Sequence, residues 1–133
     1  IHYVLKKRGF KNILIFNRSK KKIKYSNKTE YTKTYNDLET HLEGVFLIIN
    51  TTPISMSADK VTFPNNFIKP STSCYDLFYS KQQTTFQEWS IRNGIEICYD
   101  GLGMLIEQAK HSFTIWNNKI PNVNSLEEQL RLT

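Results

Sequence analysis

Cysteine and histidine are scarce in this sequence, which has two cysteines and three histidines among 133 residues. No second cysteine or histidine lies at metal-ligand spacing from Cys74 or Cys98, so the sequence predicts no metal site. Each cysteine lies inside an apolar run typical of a strand. We therefore expect buried free thiols, which fit a reducing compartment. The histidines are far apart in sequence, and no Ser-His-Asp or Cys-His arrangement can be argued from them.

Long apolar runs are also lacking. None approaches the roughly 20 residues that a membrane-spanning helix needs, and the first residues are too basic for a signal peptide. We therefore expect a cytoplasmic location and no membrane partner. Hydrophobic residues make up 39% of the chain, which is enough for the core of one modest domain.

Acidic residues are few where basic residues are most frequent. The net charge of +6 arises mainly from lysines and arginines crowded into the first 24 positions. A nucleic-acid surface would spread such residues along one face with interleaved aromatics, whereas these follow directly on a predicted strand. Binding of a single phosphate group requires fewer assumptions than binding of a nucleic acid. An AT-biased genome would also raise the lysine count without any function.

The apolar pattern predicts an alternating order of helices and strands. Strands are predicted over residues 12–17, 45–50, 73–79 and 95–99, and the first two read as strands buried on both faces. Helices are predicted over residues 1–8, 35–42, 84–92, 102–116 and 125–130. This order indicates an α/β domain with a mostly parallel sheet. Residues 51–70, with three prolines, form the least regular connector. The first helix ends at Gly9 without any start signal, so we expect a fragment of a longer protein.

Polar residues that follow the strands are the candidates for chemistry, because ligands of doubly wound sheets lie outside the carboxyl ends of the strands. Asn17, Arg18 and Ser19 follow the first strand, and three lysines ending at Lys22 come next. In a dinucleotide-binding fold an acidic residue here bonds the adenosine ribose of NAD, whereas a basic one pairs with the 2′-phosphate of NADP. The turn favours NADP, with a solvated turn as the alternative.

Two further groups follow the second and third strands. Asn50, Thr51 and Thr52 are suited to lining a cofactor's path, although the same residues are common in ordinary turns. Asp76 and Tyr79 bracket the end of the third strand. Asp76 could equally cap a neighbouring backbone, and Tyr79 could belong to the core with its hydroxyl at the surface.

The segment at residues 100–108 joins a glycine turn to an amphipathic helix. Gly101 and Gly103 let the backbone approach a flat ligand, Met104 offers an apolar contact, and Gln108 lies one turn further on. The Gly-x-Gly spacing lacks the third glycine of a phosphate-binding loop. We therefore expect this segment to contact the ring end of a cofactor or a substrate, and not a pyrophosphate.

Four of these segments together resemble the cofactor-binding domain of the shikimate dehydrogenases. They are residues 17–19, 49–53, 75–79 and 100–109, in the same order and at matching spacing, and residues 113–116 and 121–123 also match. The resemblance implies a Rossmann-like α/β fold with flanking helices. It also implies an NADP-dependent oxidoreductase that reduces 3-dehydroshikimate to shikimate, on the pathway to chorismate and the aromatic amino acids.

The resemblance implies roles for individual residues. Those expected at the adenosine 2′-phosphate are Asn17, Arg18, Ser19 and Lys22, and those expected at the nicotinamide are Leu77, Gly101 and Met104. Tyr79 and Gln108 are expected to reach the carboxylate or hydroxyls of the substrate, shikimate or 3-dehydroshikimate. No nucleic-acid partner is implied, and the resemblance leaves a homodimer open.

Two parts of the family pattern are missing from residues 1–133. One is the first strand with its glycine-rich turn, and the other is the substrate domain that carries the catalytic lysine and aspartate. We interpret the chain as a partial NADP-binding domain whose C-terminal helices pack toward that substrate domain. Because hydride transfer to a ketone needs a proton donor and no residue here is assigned this role, we expect the chain to be inactive alone. Ser55 also departs from the pattern, since many relatives have glycine there.

Two alternative functions stay open at this point. One is a quinate and shikimate dehydrogenase with relaxed cofactor choice, which an acidic residue in place of Arg18 or Ser19 would have favoured. The other is a non-catalytic nucleotide- or nucleic-acid-binding module. Its affinity for nucleic acid should fall steeply as salt is added.

Overall fold

The computed structural model describes residues 1–25, 28–38, 40–56, 69 and 71–132. These residues form two compact units, Ile1–Glu43 and Gly44–Thr133. Most of the connector predicted over residues 51–70 lies outside the described residues. Among the helices in the described part of the chain, none combines the length and the apolar character needed to cross a bilayer.

The first unit contains one short helix, two pairs of strands and one turn of 3₁₀ helix. Its elements are α1 (His2–Lys7), β1 (Phe16–Asn17), β2 (Lys22–Tyr25), β3 (Lys28–Tyr31), β4 (Lys33–Thr34) and the 3₁₀ turn Tyr35–Asp37. Strands β1 and β4 are parallel, with Phe16 opposite Lys33. Strands β2 and β3 form an antiparallel hairpin in which Lys22 lies opposite Tyr31.

Helix α1 ends as the sequence predicts. Gly9 follows its C-cap with φ of +89°, a left-handed conformation that glycine adopts without steric cost. The backbone N–H groups of Gly9 and Phe10 donate to the carbonyl oxygens of Lys6 and Leu5, at 3.1 Å in both cases. These two bonds satisfy carbonyls at the helix end that would otherwise lack a partner.

Two predictions for the first unit are wrong in extent. The strand predicted over residues 12–17 is only two residues long and pairs with β4, which is equally short. The helix predicted over residues 35–42 is limited to the 3₁₀ turn. Its Asp37 carboxylate accepts from the backbone N–H of Thr34 at 2.8 Å, and such local side-chain bonds favour a cap or turn over a longer helix.

The second unit is built on a three-stranded parallel sheet. Its strands are β5 (Leu47–Asn50), β6 (Ser73–Asp76) and β7 (Ile97–Tyr99), in the order β5-β6-β7. In the register Asn50 lies opposite Asp76, and Cys74 lies opposite Cys98. The other elements are a 3₁₀ turn (Pro53–Met56) and helices α2 (Thr85–Arg92), α3 (Leu102–Asn117) and α4 (Leu126–Leu132). The predicted mostly parallel sheet is confirmed.

Helix α2 packs against β6 and β7 and forms the core of this unit. It begins with a capping box, in which Thr84 Oγ1 accepts from the backbone N–H of Gln87 at 3.2 Å and Gln87 Oε1 accepts from that of Thr84 at 2.9 Å. Its Phe86 and Trp89 rings are buried and stack with centroids 5.3 Å apart. Cys74 on β6 is buried as well.

The expectation of strands buried on both faces is wrong for β5, where residues 47–49 are only half-buried. On β7, Ile97 and Tyr99 keep 48% and 62% of their surface exposed. Side chains alternate between the two faces of a strand, so the face that carries Cys74 and Asp76 is buried while the opposite face is more open. This difference leaves room for a cleft on the open face.

Candidate functional site

The predicted phosphate-binding residues lie on the turn that joins β1 to β2. Asn17 ends β1, Arg18 and Ser19 follow in the turn, and Lys22 begins β2. A buried threonine that the sequence did not single out fixes this turn. Thr32 Oγ1 accepts from the backbone N–H of Lys21 at 2.7 Å. The backbone N–H of Thr32 donates in turn to the carbonyl oxygen of Lys21 at 2.9 Å.

The cations of this turn are exposed. Among the side chains that the structure describes, which do not include those of residues 23–30, Arg18, Lys21 and Lys22 form no ion pair. Lys20 lies 5.6 Å from the centre of the Tyr31 ring, a cation–π contact that leaves its charge in place. The turn therefore presents exposed positive charge on a backbone held by Thr32, which suits an anionic group.

In the second unit, two of the predicted site segments touch each other. Leu77 and Phe78 follow β6, and Gly101 follows β7. The backbone N–H of Gly101 donates to the carbonyl oxygen of Phe78 at 3.0 Å. A Cβ atom on residue 101 would lie only 2.7 Å from the carbonyl carbon of Leu77, so only glycine allows this approach. In the structure the close approach at Gly101 is to Leu77 of the chain itself, and the contact of Gly101 with a flat ligand stays a prediction.

Asp76 lies at the centre of a buried hydrogen-bond network. Its carboxylate has no exposed surface and accepts from Ser55 Oγ and Thr84 Oγ1, both at 2.6 Å. It also accepts from Asn50 Nδ2 at 2.9 Å and from the backbone N–H of Phe78 at 3.2 Å. The alternative that Asp76 caps a neighbouring backbone is therefore correct. Asp76 joins the ends of β5 and β6, the 3₁₀ turn and the start of α2.

The Asn50 side chain is also used internally. Besides its bond to Asp76, its Oδ1 atom accepts from the backbone N–H of Thr52 at 3.1 Å and from Thr52 Oγ1 at 2.7 Å. This is the ordinary turn chemistry that the sequence left open for Asn50 and Thr52. Thr51, between them, is exposed.

The remaining predicted residues are accessible. Tyr79 and Met104 expose 45% and 41% of their surface, and Gln108 is exposed too. The alternative that Tyr79 is a core residue is therefore wrong. Met104 and Gln108 are four residues apart on α3 and share one helix face, and Leu105, 40% exposed, lies beside them. Helix α3 thus carries two apolar side chains and an amide that a ligand could contact.

A cleft of about 200 Å³ lies next to the start of α3. Its lining includes Tyr75, Cys98, Asp100, Glu127 and Arg131. The guanidinium of Arg131 donates two hydrogen bonds to Asp100, at 2.7 and 2.9 Å, and a third to Glu127 at 2.9 Å. Sequence analysis missed Arg131, because 31 positions separate it from Asp100 and no local pattern connects them.

The Asp100–Arg131 pair sets the charge of this cleft. Burial alone would raise the pKa of Asp100, but the hydrogen bonds from Arg131 and from the backbone N–H of Leu102 outweigh it, so the pKa is lowered. The same pair raises the pKa of Arg131. Asp100 is therefore a buried, ionised carboxylate whose partner is fixed, and it is not available as a proton donor.

Replacing Arg131 with alanine should lower the free energy of unfolding by about 1–2 kcal/mol near neutral pH, because the Asp100 carboxylate loses its partner while Arg131 is itself partly exposed. A lowered folded-state pKa stabilises the protein above the ordinary carboxyl pKa, and this contribution is lost as pH falls through the lowered value. The difference between the two proteins should therefore shrink on acidification. Urea unfolding at about pH 7 and about pH 3 measures it.

The control for Arg131→Ala is Arg92→Ala. Arg92 is exposed on α2 and donates only to the carbonyl oxygen of Glu88 in its own helix, at 3.2 Å, among the bonds described. It should change stability by less than about 0.5 kcal/mol at either pH. A loss for Arg131→Ala that is the same at both pH values would contradict a role through the Asp100 charge.

Comparison with known proteins finds similarity to shikimate dehydrogenases. Residues 101–131 match a family model described as "Shikimate 5'-dehydrogenase C-terminal domain". Over 85 residues, 64% of this chain, the sequence is 47% identical to the shikimate dehydrogenase (NADP(+)) of Blochmanniella pennsylvanica. The chain covers 29% of that protein's length. The resemblance to the shikimate dehydrogenases that the four segments indicated is confirmed.

Solved structures agree with the fold. Shikimate dehydrogenase 1 from Peptoclostridium difficile is 26% identical and superimposes with a TM-score of 0.68, over 90% of this chain and 45% of its own. Shikimate dehydrogenase from Thermotoga maritima is 19% identical and superimposes with a TM-score of 0.69, over 99% of this chain and 51% of its own. The second likeness concerns the fold alone, and it confirms the Rossmann-like α/β class.

Proposed function

We propose, from its similarity to the shikimate dehydrogenases, that this chain is the NADP-binding part of an enzyme that reduces 3-dehydroshikimate to shikimate. The observation that carries the proposal is the contact of Gly101 with Leu77 and Phe78, which joins two segments that the family pattern assigns to the nicotinamide. The name of the Blochmanniella relative, shikimate dehydrogenase (NADP(+)), supports both the reaction and the cofactor.

In this proposal the turn after β1 holds the adenosine 2′-phosphate. Arg18 and Lys22 supply charge-assisted hydrogen bonds, and Asn17 and Ser19 supply neutral ones. The exposure of Arg18 and Lys22 supports this role. The hydrogen bonds of Thr32 support it too, because a fixed turn loses less entropy when a ligand binds.

The ring end of the cofactor and the substrate are proposed to lie against the second unit. Leu77, Gly101 and Met104 would line the nicotinamide, and Tyr79 and Gln108 would hydrogen-bond the carboxylate or hydroxyls of shikimate. The exposure of Met104, Tyr79 and Gln108 supports this assignment, since each can be reached by a ligand. These residues bind and orient ligands, and none of them is proposed as the proton donor.

The proton donor belongs to a domain outside residues 1–133 in this proposal. The family pattern places a catalytic lysine and aspartate there, and helices α3 and α4 would pack toward it. Exposed apolar side chains near the end of α3 support such a contact, among them Ile115 and Trp116, with 67% and 80% of their surface exposed. We further propose a cytoplasmic location, which the free thiols support, and no nucleic-acid partner. A homodimer is compatible with this proposal.

The cofactor assignment is tested by replacing Arg18 with alanine. We expect binding of NADPH to weaken by about 1–3 kcal/mol, because a charge-assisted contact with the 2′-phosphate is lost. Binding of NADH, which lacks this phosphate, should change little. Calorimetric titration of both cofactors into both proteins measures the difference.

Arg8→Ala is the matched control, because Arg8 is another exposed arginine of the same unit and lies outside the turn. It should leave the preference for NADPH over NADH unchanged. Equal weakening of NADPH and NADH by Arg18→Ala would rule out the assignment of the 2′-phosphate site. Equal affinities in the unaltered chain, together with nucleic-acid binding that falls steeply with salt, would favour the binding-module alternative.

A further inference from the structure

Two thiols face each other across the sheet of the second unit. Cys74 on β6 and Cys98 on β7 are direct partners in the parallel register. Directly paired residues of neighbouring strands project to the same face, and the strands are about 4.8 Å apart. A disulfide requires Cα atoms roughly 4.4–6.8 Å apart. The sheet therefore holds the two cysteines at a separation from which a disulfide can form.

The two thiols differ in access. Cys74 is fully buried, whereas Cys98 is partly exposed and lines the cleft that also contains Arg131. That cleft, of about 200 Å³, is several times larger than the roughly 30 Å³ that one water molecule occupies in the liquid. Cys98 is therefore the more accessible of the two residues.

The two thiols also differ in reactivity. The hydrogen bond with the Cys74 thiol lowers the pKa of Cys98 to about 7, against the opposing effect of burial. The same bond, together with burial, raises the pKa of Cys74. The thiolate is the nucleophilic form of cysteine. These shifts favour the thiolate at Cys98 over the thiolate at Cys74.

We propose that Cys98 is a site of reversible oxidation by hydroperoxides and that Cys74 resolves the oxidised form by making a disulfide with it. The pairing of a partly exposed cysteine with a buried one, in register on neighbouring strands, is what carries this proposal. It does not depend on the proposed dehydrogenase function. Disulfides in reducing compartments are usually transient and redox-sensing, which agrees with such a role.

The chemistry has two steps. Cys98 Sγ, as thiolate, attacks one oxygen of hydrogen peroxide; the O–O bond breaks, a sulfenic acid forms, and the leaving hydroxide takes a proton to become water. Cys74 Sγ then attacks Cys98 Sγ, the S–O bond breaks, and the second hydroxide leaves as water with the proton of Cys74. Two thiols lose two electrons in total, and one peroxide is reduced to two waters. A dithiol reagent reverses the linkage.

The test is peroxide treatment of the full chain of 133 residues, followed by digestion with trypsin and mass spectrometry. Lys81 and Arg92 separate the two cysteines in sequence, so one peptide species containing both cysteines exists only if they are linked. We expect this linked species after treatment with equimolar peroxide and its loss after treatment with dithiothreitol. Finding Cys98 oxidised to the sulfinic acid, with Cys74 still a thiol, would overturn the proposal.

Two variants separate the roles of the thiols. In Cys74→Ser the sulfenic acid at Cys98 should persist and be trapped by dimedone, because nothing resolves it. In Cys98→Ser, Cys74 should lose its thiol at least about 10-fold more slowly than the unaltered pair, since it is buried and protonated. If the disulfide forms at the same rate in the urea-unfolded chain, the proposal is also overturned, because the folded arrangement then does not accelerate the reaction.

Discussion

Gly101→Ala should lower the free energy of unfolding by about 3 kcal/mol or more, because the added methyl group collides with backbone that cannot rotate away. The Cβ atom would meet the carbonyl oxygen of Leu77 and lie 2.7 Å from its carbonyl carbon. Relief requires the segment after β6 to separate from the start of α3, which breaks the 3.0 Å bond from Gly101 to Phe78. The proposed nicotinamide contacts of Leu77 and Gly101 would be displaced with it.

The matched control is Gly103→Ala, two positions further on in α3. A Cβ there would meet only the Glu127 carboxylate, at an ordinary contact distance of 3.5 Å. Alanine is the better helix former, so this variant should be more stable by roughly 0.5–1 kcal/mol. Urea unfolding of both variants, followed by circular dichroism, gives the comparison. Similar values for the two glycines would refute the steric argument.

The second large effect is expected at Asp76. Replacing it with alanine removes the acceptor for four donors, those of Asn50, Ser55, Phe78 and Thr84, in a site closed to water. Each buried donor left without a partner typically costs 1–3 kcal/mol, although some regain partial partners when the site relaxes. We expect a loss of about 3–5 kcal/mol in the free energy of unfolding. The loss should appear in urea unfolding followed by fluorescence of the buried Trp89.

Ser55→Ala provides the graded control for Asp76→Ala. It removes one donor at 2.6 Å and leaves three bonds to the carboxylate, so its expected cost is about 1–2 kcal/mol. Asp76→Asn should fall between the two, because the amide keeps one acceptor and offers a donor where the hydroxyls need an acceptor. A cost for Asp76→Ala no larger than that of Ser55→Ala would show that the network does not depend on this carboxylate.

Elements with a strong local pattern could be predicted from the sequence. Helix α3 was predicted over residues 102–116 and extends over Leu102–Asn117, because its apolar stripe and the preceding glycine turn are both local signals. The end of helix α1 at Gly9 can be predicted for the same reason. The sequence does not determine whether Tyr79 is exposed, because its exposure depends on packing between elements, which the strand pattern does not predict.

Features that depend on distant pairing could not be predicted. The β2–β3 hairpin lies where the sequence indicated only a basic turn, since lysines have little intrinsic preference for strands. The sequence predicts buried free thiols, which is wrong for the partly exposed Cys98, and only the register of β6 and β7 makes Cys74 and Cys98 partners. Arg131 carried no signal at all. The candidate residues themselves remain predictions, supported by their exposure and not yet tested by ligand binding.

The long separation of Asp100 and Arg131 has a consequence for synthesis on the ribosome. The hairpin of β2 and β3 closes between residues as near as Tyr25 and Lys28, and hairpins form in about 1–10 μs once their strands have emerged. Arg131 is translated 31 positions after Asp100, which takes about 2–6 s at typical elongation rates of roughly 5–20 residues per second. For that time the nascent chain holds the Asp100 carboxylate without its guanidinium, so the cleft beside α3 is completed only after α4 has been translated.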